Sequence, residues 1–310
     1  MRHSLATTVA LGLTALALAA APALAQATQG HLMPNPFVAP SKVTIDYGPQ
    51  PSDPQLQPIY AAVRQQNVLE KLQRFLAPLR LARPLTVRMA QCGNNVVYRP
   101  YQPGGDVTIC YEFIKQVADL APAEGSQGII GVALVPREAT IVGPVVEEVL
   151  HDVALAVFDN LQIPIWGRPE DAADNVAAFV MLQFGTDVAE TTIMGTAYFL
   201  WWAGKNVQYT EGSVADIRPP LRQRYYNILC IAYGSDPVKF SVLQAFNRNQ
   251  LDTDLPADRA TGCQARYAKA HAGQYEGEYE KLAAAFKTLI LDPYVDPELL
   301  KQVLATNPLK

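Results

Sequence analysis

The stretch that decides the fold is Pro-Val-Val-Glu-Glu-Val-Leu-His-Asp-Val-Ala-Leu-Ala-Val-Phe-Asp-Asn, residues 144–160. Its apolar residues recur every three to four positions, which predicts a helix opened by Pro144. One face of this helix carries Val146, Leu150, Val153 and Val157. At about 100° per residue, Leu155 lies nearly opposite the centre of that face. We therefore expect Leu155 to face a cleft or a covering segment.

Five residues of this helix, His151-Asp152-Val153-Ala154-Leu155, match only part of the H-E-x-x-H pattern of zinc peptidases. In the complete pattern, two histidines on one helix face bind the metal, and the glutamate acts as general base on the metal-bound water. Here Asp152 stands at the general-base position, one methylene short, and Leu155 stands at the second ligand position. Because leucine has no lone pair, the pattern predicts an impaired or absent metal site.

A pair of acidic residues follows this helix. Glu170 and Asp174 are four residues apart in Glu-Asp-Ala-Ala-Asp, so a helix presents both on one face. In zinc peptidases with such a pair, the glutamate binds the metal and the aspartate binds the far nitrogen of a ligand histidine. By itself the spacing is weak, since most acidic pairs on helices lie in solvent.

The start of the predicted mature chain follows from the composition of the first residues. Residues 1–25 predict an export signal, with Arg2 first, an apolar run from Val9 to Ala20, and Ala23-Leu24-Ala25 as the cleavage site. Residues 26–42 carry three prolines and predict a flexible leader, and 43–310 a single domain. The apolar run is too short for a membrane anchor, so we expect a periplasmic or secreted protein. The net charge of −4, without a lysine- or arginine-rich run, gives no basis for nucleic-acid binding.

Four cysteines follow the signal. An even number in an exported protein predicts two disulfides, with three possible connectivities. Pairing neighbours in sequence favours Cys92–Cys110 and Cys230–Cys263. A cysteine metal site is the poorer alternative because the chain has no C-x-x-C spacing.

Periodicity along the chain predicts an α+β fold that is mostly helical. A small N-terminal antiparallel sheet should pack on the helices of His151 and Glu170. Its predicted strands are 43–47, 85–89, 95–98 and 107–109, with a turn at Pro103-Gly104-Gly105 between the last two. The predicted helices include two within 57–81, then Pro144 to Asn160, Glu170 to Phe184, Asp187 to Gly204 and Leu221 to Tyr233.

Taken together, the motifs of residues 43–293 resemble a family of exported bacterial proteins considered to be zinc metallopeptidases with a zincin-like domain. The matching segments, in order, are Cys92-Gly93, Cys110-Tyr111-Glu112, 163–168 (Ile-Pro-Ile-Trp-Gly-Arg), 170–174, 223–230 and 233–237. The resemblance implies a zinc cofactor, with His151 as first ligand and Glu170 as third. It implies that Asp174 orients His151 and that Asp152 is the general base.

Two departures from the family follow from the resemblance. Leu155 cannot be the second ligand, so we expect zinc to be weakly bound or absent. The second departure lies at Asp216-Ile217-Arg218, where the family has an acidic residue and a histidine. Without zinc, Asp152, Glu170 and Asp174 would crowd together, and Arg218 or Arg168 could supply the missing positive charge.

Three functions remain open at this stage. The first is an inactive family member that binds a peptide or envelope protein in the former active-site cleft. The second is a metallopeptidase with an altered site, and the third a metal-binding protein without peptidase activity that uses Glu148 with His151. His31 and His271 are not placed by spacing to replace the missing ligand.

Overall fold

A computed structural model describes residues 43–93, 106–131, 133–243 and 255–267, with the single positions 296, 298 and 302. The predicted signal, leader and strand 95–98 lie outside the described residues, as do His31 and His271.

The N-terminal sheet has three strands in the order β1-β2-β3, and all are parallel. The strands are β1 (Val43–Asp46), β2 (Leu85–Ala90) and β3 (Asp106–Cys110). Val43 pairs with Leu85 and Thr86 with Asp106. The predicted antiparallel arrangement is therefore wrong. The two helices between β1 and β2 form the crossover that a parallel pair requires, and β3 pairs with β2 in the same direction.

The helices make up most of the fold, which confirms the predicted α+β class. Between β1 and β2 lie α1 (Gln57–Gln65) and α2 (Val68–Leu76), and α3 (Tyr111–Leu120) follows β3. An antiparallel hairpin that the periodicity did not indicate, β4 (Gln127–Ile130) and β5 (Ala133–Pro136), leads into the helical part. That part comprises α4 (Arg137–Asn160), α5 (Pro169–Leu182), α6 (Thr186–Gly204), α7 (Glu211–Ala215), α8 (Leu221–Ser235), a 3-10 turn (Ser241–Leu243) and α9 (Ala257–Tyr267).

Helix α4 begins earlier than predicted, and Pro144 is buried in its interior rather than at its start. Proline within a helix loses one backbone hydrogen bond. The local rule that places proline at a first turn was therefore overridden by the burial of the segment before it. The periodicity that predicted the rest of the helix through Asn160 is confirmed.

Helix α4 forms a wall between two hydrophobic clusters. Val149, Val153 and Val157 pack toward the sheet with α1 and α2. Leu150 packs instead with α5, α6 and α8. Leu155 is only partly buried, in keeping with its position away from the apolar face. The centre of α4, which contains His151, is thereby fixed on two sides.

Both predicted disulfides are confirmed. Cys92–Cys110 joins the turn after β2 to the end of β3, across 18 residues of sequence. Cys230–Cys263 joins α8 to α9 across 33 residues. Each bond ties together segments that are close in sequence, so each restricts a short loop of the unfolded chain. Within the described part of the chain, no helix is both long enough and apolar enough to span a bilayer.

Helices α4 and α6 approach closely because glycines stand at their crossing. A Cβ atom on Gly143 would lie 2.5 Å from the carbonyl oxygen of Thr192 and 2.7 Å from the amide nitrogen of Thr196. A Cβ atom on Gly195 would overlap with the carbonyl group of Ala139. These are backbone atoms, so no side-chain rotation can make room. The crossing sets the position of α4 against the rest of the helical core.

Replacing Gly143 with alanine should lower the free energy of unfolding by about 3 kcal/mol, the upper end of the usual range for an overpacked core. For a domain of this size the melting temperature should fall by roughly 6–12 °C. Gly262→Ala, in α9 with nothing within 4 Å of the added Cβ, is the matched control. It should melt at or slightly above the temperature of the unaltered protein. Equal melting temperatures for the two variants would contradict the close crossing.

Candidate functional site

His151 lies at the centre of α4, with its side chain only 2% exposed. Helix α5 presents Glu170 and Asp174 to it from one face, as their spacing predicted. The ring nitrogen Nδ1 lies 2.7 Å from Asp174 Oδ1, and Nε2 lies 2.7 Å from Glu170 Oε2. Both nitrogens of the imidazole are therefore held by carboxylates.

A buried arginine, Arg224 of α8, supports this arrangement from the Asp174 side. Its Nε donates to both oxygens of Asp174 at 3.1 and 3.2 Å. Its Nη2 donates to Glu147 at 3.0 and 3.1 Å and lies 3.6 Å from Glu148. Arg224 thus joins α4, α5 and α8 through one guanidinium group.

A second arginine contacts Glu170. Arg218 precedes α8, and its guanidinium lies 3.7 Å from Glu170 Oε2 and 3.5 Å from Glu148 Oε1. Its side chain is 42% exposed, so these contacts are weaker than those of Arg224. The same oxygen of Glu170 therefore contacts both His151 and Arg218. Glu148 itself is buried and paired, and is not a solvent-facing charge.

Asp152, at the predicted general-base position, is fully buried. Neither of its carboxyl oxygens has a hydrogen-bond partner among the described residues. Burial raises the pKa of this carboxyl well above its usual value, and the nearby charge of Glu148 raises it further. His151 and Arg218 oppose that effect. Burial thus favours the neutral form of Asp152, and a neutral carboxyl is a poor proton acceptor.

The charges of the site favour a protonated His151. Burial alone would lower its pKa, but hydrogen bonds to Asp174 and Glu170 raise it to about 10. Burial alone would raise the pKa values of Asp174 and Glu170, but both values are lowered. The charge of Arg224 and the hydrogen bond to His151 lower the pKa of Asp174. The hydrogen bond to His151 and the charge of Arg218 lower the pKa of Glu170. Burial raises the pKa of Glu147 to about 7, against the opposing charge of Arg224. With His151 protonated, three cations therefore face five carboxyl groups, and burial favours the neutral form of two of these, Asp152 and Glu147.

The residues present do not match a catalytic zinc ion. Such an ion needs three protein ligands at about 2.0–2.2 Å, which places neighbouring ligand atoms about 3.3 Å apart in a tetrahedron. His151 Nε2 and Glu170 Oε2 are 2.7 Å apart and contact each other directly. The next position in the motif is the hydrocarbon of Leu155, and Arg218 already brings a positive charge to Glu170.

Two other groups of described residues bring possible metal-ligand atoms together. Glu147, His151 and Asp174 each place one such atom within 4.8 Å of the others, which is a possible metal site. The guanidinium of Arg224, however, donates to both Glu147 and Asp174. A metal ion there would have to compete with a cation that is already bound. The second of these groups, Cys92, Cys110 and Glu112, contains two disulfide-bonded cysteines and so lacks thiolates.

Sequence reasoning placed His151, Glu170 and Asp174 together but missed Arg224 and Glu147. A signal for Arg224 was present, since it lies in the Gln-Arg-x-Tyr-Asn segment that begins at Gln223. Glu147 stands four residues before His151, hence on the same side of the helix. Arg168 lies directly before α5, and the structure assigns the contacts expected of it to Arg218.

Comparison with known proteins identifies one family. A model described as "Putative metallopeptidase" matches residues 48–275, more than half of the chain and all of the site. No curated protein and no solved structure shows a significant match.

Replacing Arg224 with methionine should strongly destabilise the protein. It leaves Asp174 and Glu147 buried without their cation, and breaking a buried ion pair costs about 3–5 kcal/mol. Arg83→Met is the matched control, because Arg83 pairs with Asp159 at the surface, where such pairs contribute about 0–1 kcal/mol. Chemical unfolding of both variants measures the difference. Similar losses of unfolding free energy in the two variants would show that Arg224 is no more important to stability than a surface arginine.

The protonation of His151 predicts how stability depends on pH. A pKa raised from 6.5 to about 10 on folding stabilises the protein fully below pH 6.5, and this contribution is lost as the pH rises toward 10. With a chelator present, stability should therefore decline as the pH rises from 6.5 toward 10. A zinc site would show the opposite trend, since its ligands must lose protons.

Nitrogen-15 NMR measures the same property without unfolding the protein. At pH 8 both ring nitrogens of His151 should carry protons. A neutral ring at that pH would contradict the ion-paired histidine.

Proposed function

Because the chain belongs to the metallopeptidase family whose model it matches, we propose that it is a member without peptidase activity that acts by binding. Its family suggests zinc, and its site offers a possible Glu-His-Asp ligand group. The proposal is that protein cations, not zinc, hold the carboxylates of this site.

The direct contact between His151 Nε2 and Glu170 Oε2 carries the proposal. His151 and Glu170, at the first and third ligand positions, are bonded to each other at 2.7 Å. The second ligand position is Leu155, which has no electron pair to donate. A peptidase of this class needs a metal-bound water and a base to deprotonate it. Asp152, with a raised pKa and a shorter side chain, is poorly suited to be that base.

A binding role in the former active-site cleft would require the site to open. His151, Asp152, Glu170 and Asp174 are all buried. The cavity next to Arg224 and Asp174 has a volume of about 10 Å³, room for no more than about one water molecule. We therefore place ligand binding on another surface.

Two alternatives each have one observation in their favour. The unpartnered oxygens of Asp152 are what a base beside a bound water would offer, which favours a peptidase with an altered site. The ligand group of Glu147, His151 and Asp174 favours a metal-binding protein. Both require a metal ion to be bound next to the charge of Arg218 or Arg224.

We also propose that the protein is exported, with residues 1–25 as a cleaved signal. Two disulfides support this, since such bonds persist in oxidising compartments. The periplasm or the extracellular medium is the proposed location.

Metal analysis and a peptidase assay test the function together. The mature protein, purified with zinc present, should contain far less than one zinc per chain and should not cut casein or a peptide library. Leu155→His with Asp152→Glu restores the complete motif and should take up zinc. Leu161→His with Asp152→Glu adds the histidine at a partly buried leucine off the site, and should not.

Stoichiometric zinc in the unaltered protein, or cleavage abolished by a chelator, would refute the proposal. Failure of the Leu155→His variant to bind more zinc than the Leu161→His variant would show that the motif does not mark the former metal position.

A further inference from the structure

A cavity lined by described residues lies away from His151. Its volume is about 730 Å³, within the range of about 300–1,000 Å³ typical of ligand pockets. Helix α3 forms one wall and the last turn of α6 the other. We call this cavity the α3–α6 groove.

The charged side chains of the groove are mainly acidic. Asp53, Glu112 and Asp119 line it, and Lys115 is the one cation that the described lining contains. Lys115 lies 2.5 Å from Asp119, so this pair is internally balanced. Two carboxylates therefore remain without a matching cation in the groove. Complementary charge steers and orients a ligand, so the groove favours a positively charged one.

Trp202 adds an aromatic surface to the acidic wall. Its side chain belongs to a residue that is 39% exposed although α6 is otherwise mostly buried. The ammonium group of Lys205 already lies 4.5 Å from the centre of the indole ring. The ring therefore already holds one cation over a face, an interaction of about 0.5–2 kcal/mol that a ligand cation would make in place of Lys205. Leu56, Leu120 and Ala203 supply an apolar floor beside it.

The acidic wall is held in place by the backbone of another segment. Glu112 accepts hydrogen bonds from the amides of Cys92 and Gly93 at 2.8–3.0 Å. The Cys92–Cys110 disulfide fixes that segment to the start of α3. Fewer side chains need to be ordered on binding, and a wall that is already fixed favours affinity.

From these features we propose that the α3–α6 groove binds a basic peptide segment. A lysine or arginine of the ligand takes the place of the Lys205 ammonium over Trp202, in the cavity that Asp53 and Glu112 also line. Its aliphatic part and the neighbouring apolar side chain contact the floor formed by Leu56 and Leu120. This binding involves no residue of the His151 site, so it holds whether or not the protein cuts peptide bonds.

Fluorescence titration of the mature protein tests the proposal with three probes. They are the acetylated, amidated peptides Gly-Lys-Leu-Gly-Lys-Leu-Gly and Gly-Glu-Leu-Gly-Glu-Leu-Gly, and a neutral tetrasaccharide of N-acetylglucosamine. The lysine peptide should bind at least about tenfold more tightly than either other probe. Its affinity should fall as the salt concentration is raised, because exposed charges are screened. Mass spectrometry of the peptide after the titration shows separately whether it was cut.

Two variants with matched controls locate the site. Trp202→Ala should weaken binding of the lysine peptide by about tenfold, one cation–π interaction, whereas Trp166→Ala, at a tryptophan that is 96% exposed elsewhere, should not. Asp53→Asn with Asp119→Asn should weaken it, and Asp187→Asn with Asp258→Asn, at exposed sites outside the groove, should not. Equal affinity for the glutamate peptide, tighter binding of the tetrasaccharide, or no effect of Trp202→Ala would overturn the proposal.

Discussion

The interaction on which the rest of the structure depends is the imidazole of His151 held between two carboxylates. Asp174 takes one ring nitrogen and Glu170 the other, each at 2.7 Å. Because the group is buried, the free energy of leaving any member unpaired is large. Helices α4 and α5 must therefore keep a fixed register, and the close crossing of α4 with α6 at Gly143 and Gly195 holds the same helix from the other side.

The two arginines pair with different carboxylates of the site. Arg224 is buried and bonded to Asp174 and Glu147, so it orients the carboxylate that in turn orients His151. Arg218 is partly exposed and lies 3.7 Å from the Glu170 oxygen that also contacts His151. A divalent ion and a guanidinium both neutralise carboxylates, but only the ion can activate a bound water. This difference is the physical basis of the proposed loss of peptidase activity.

Local patterns predicted the parts of the molecule that local forces determine. The helical periods of α5 and α6 and the spacing of Glu170 and Asp174 rest on residues that are neighbours in sequence. The disulfides, across 18 and 33 residues, followed from pairing the cysteines in sequence order. What the sequence did not reveal depends on distant contacts. The parallel direction of β1 and β2 is set by the path of the intervening helices, and the hairpin β4–β5 has strands of only four residues. Arg224 reaches Glu147 across 77 positions of sequence, a contact that periodicity cannot indicate. Pro144 wrongly predicted the start of α4, because burial of the residues before it extends the helix back to Arg137.

The most direct test of the central claim is a crystal structure of the mature protein grown with excess zinc, with anomalous data collected at the zinc edge. The account predicts no anomalous peak between His151 and Glu170 and a direct hydrogen bond between Nε2 and Oε2. A peak at that position, with the two atoms drawn apart to ligand spacing, would contradict it.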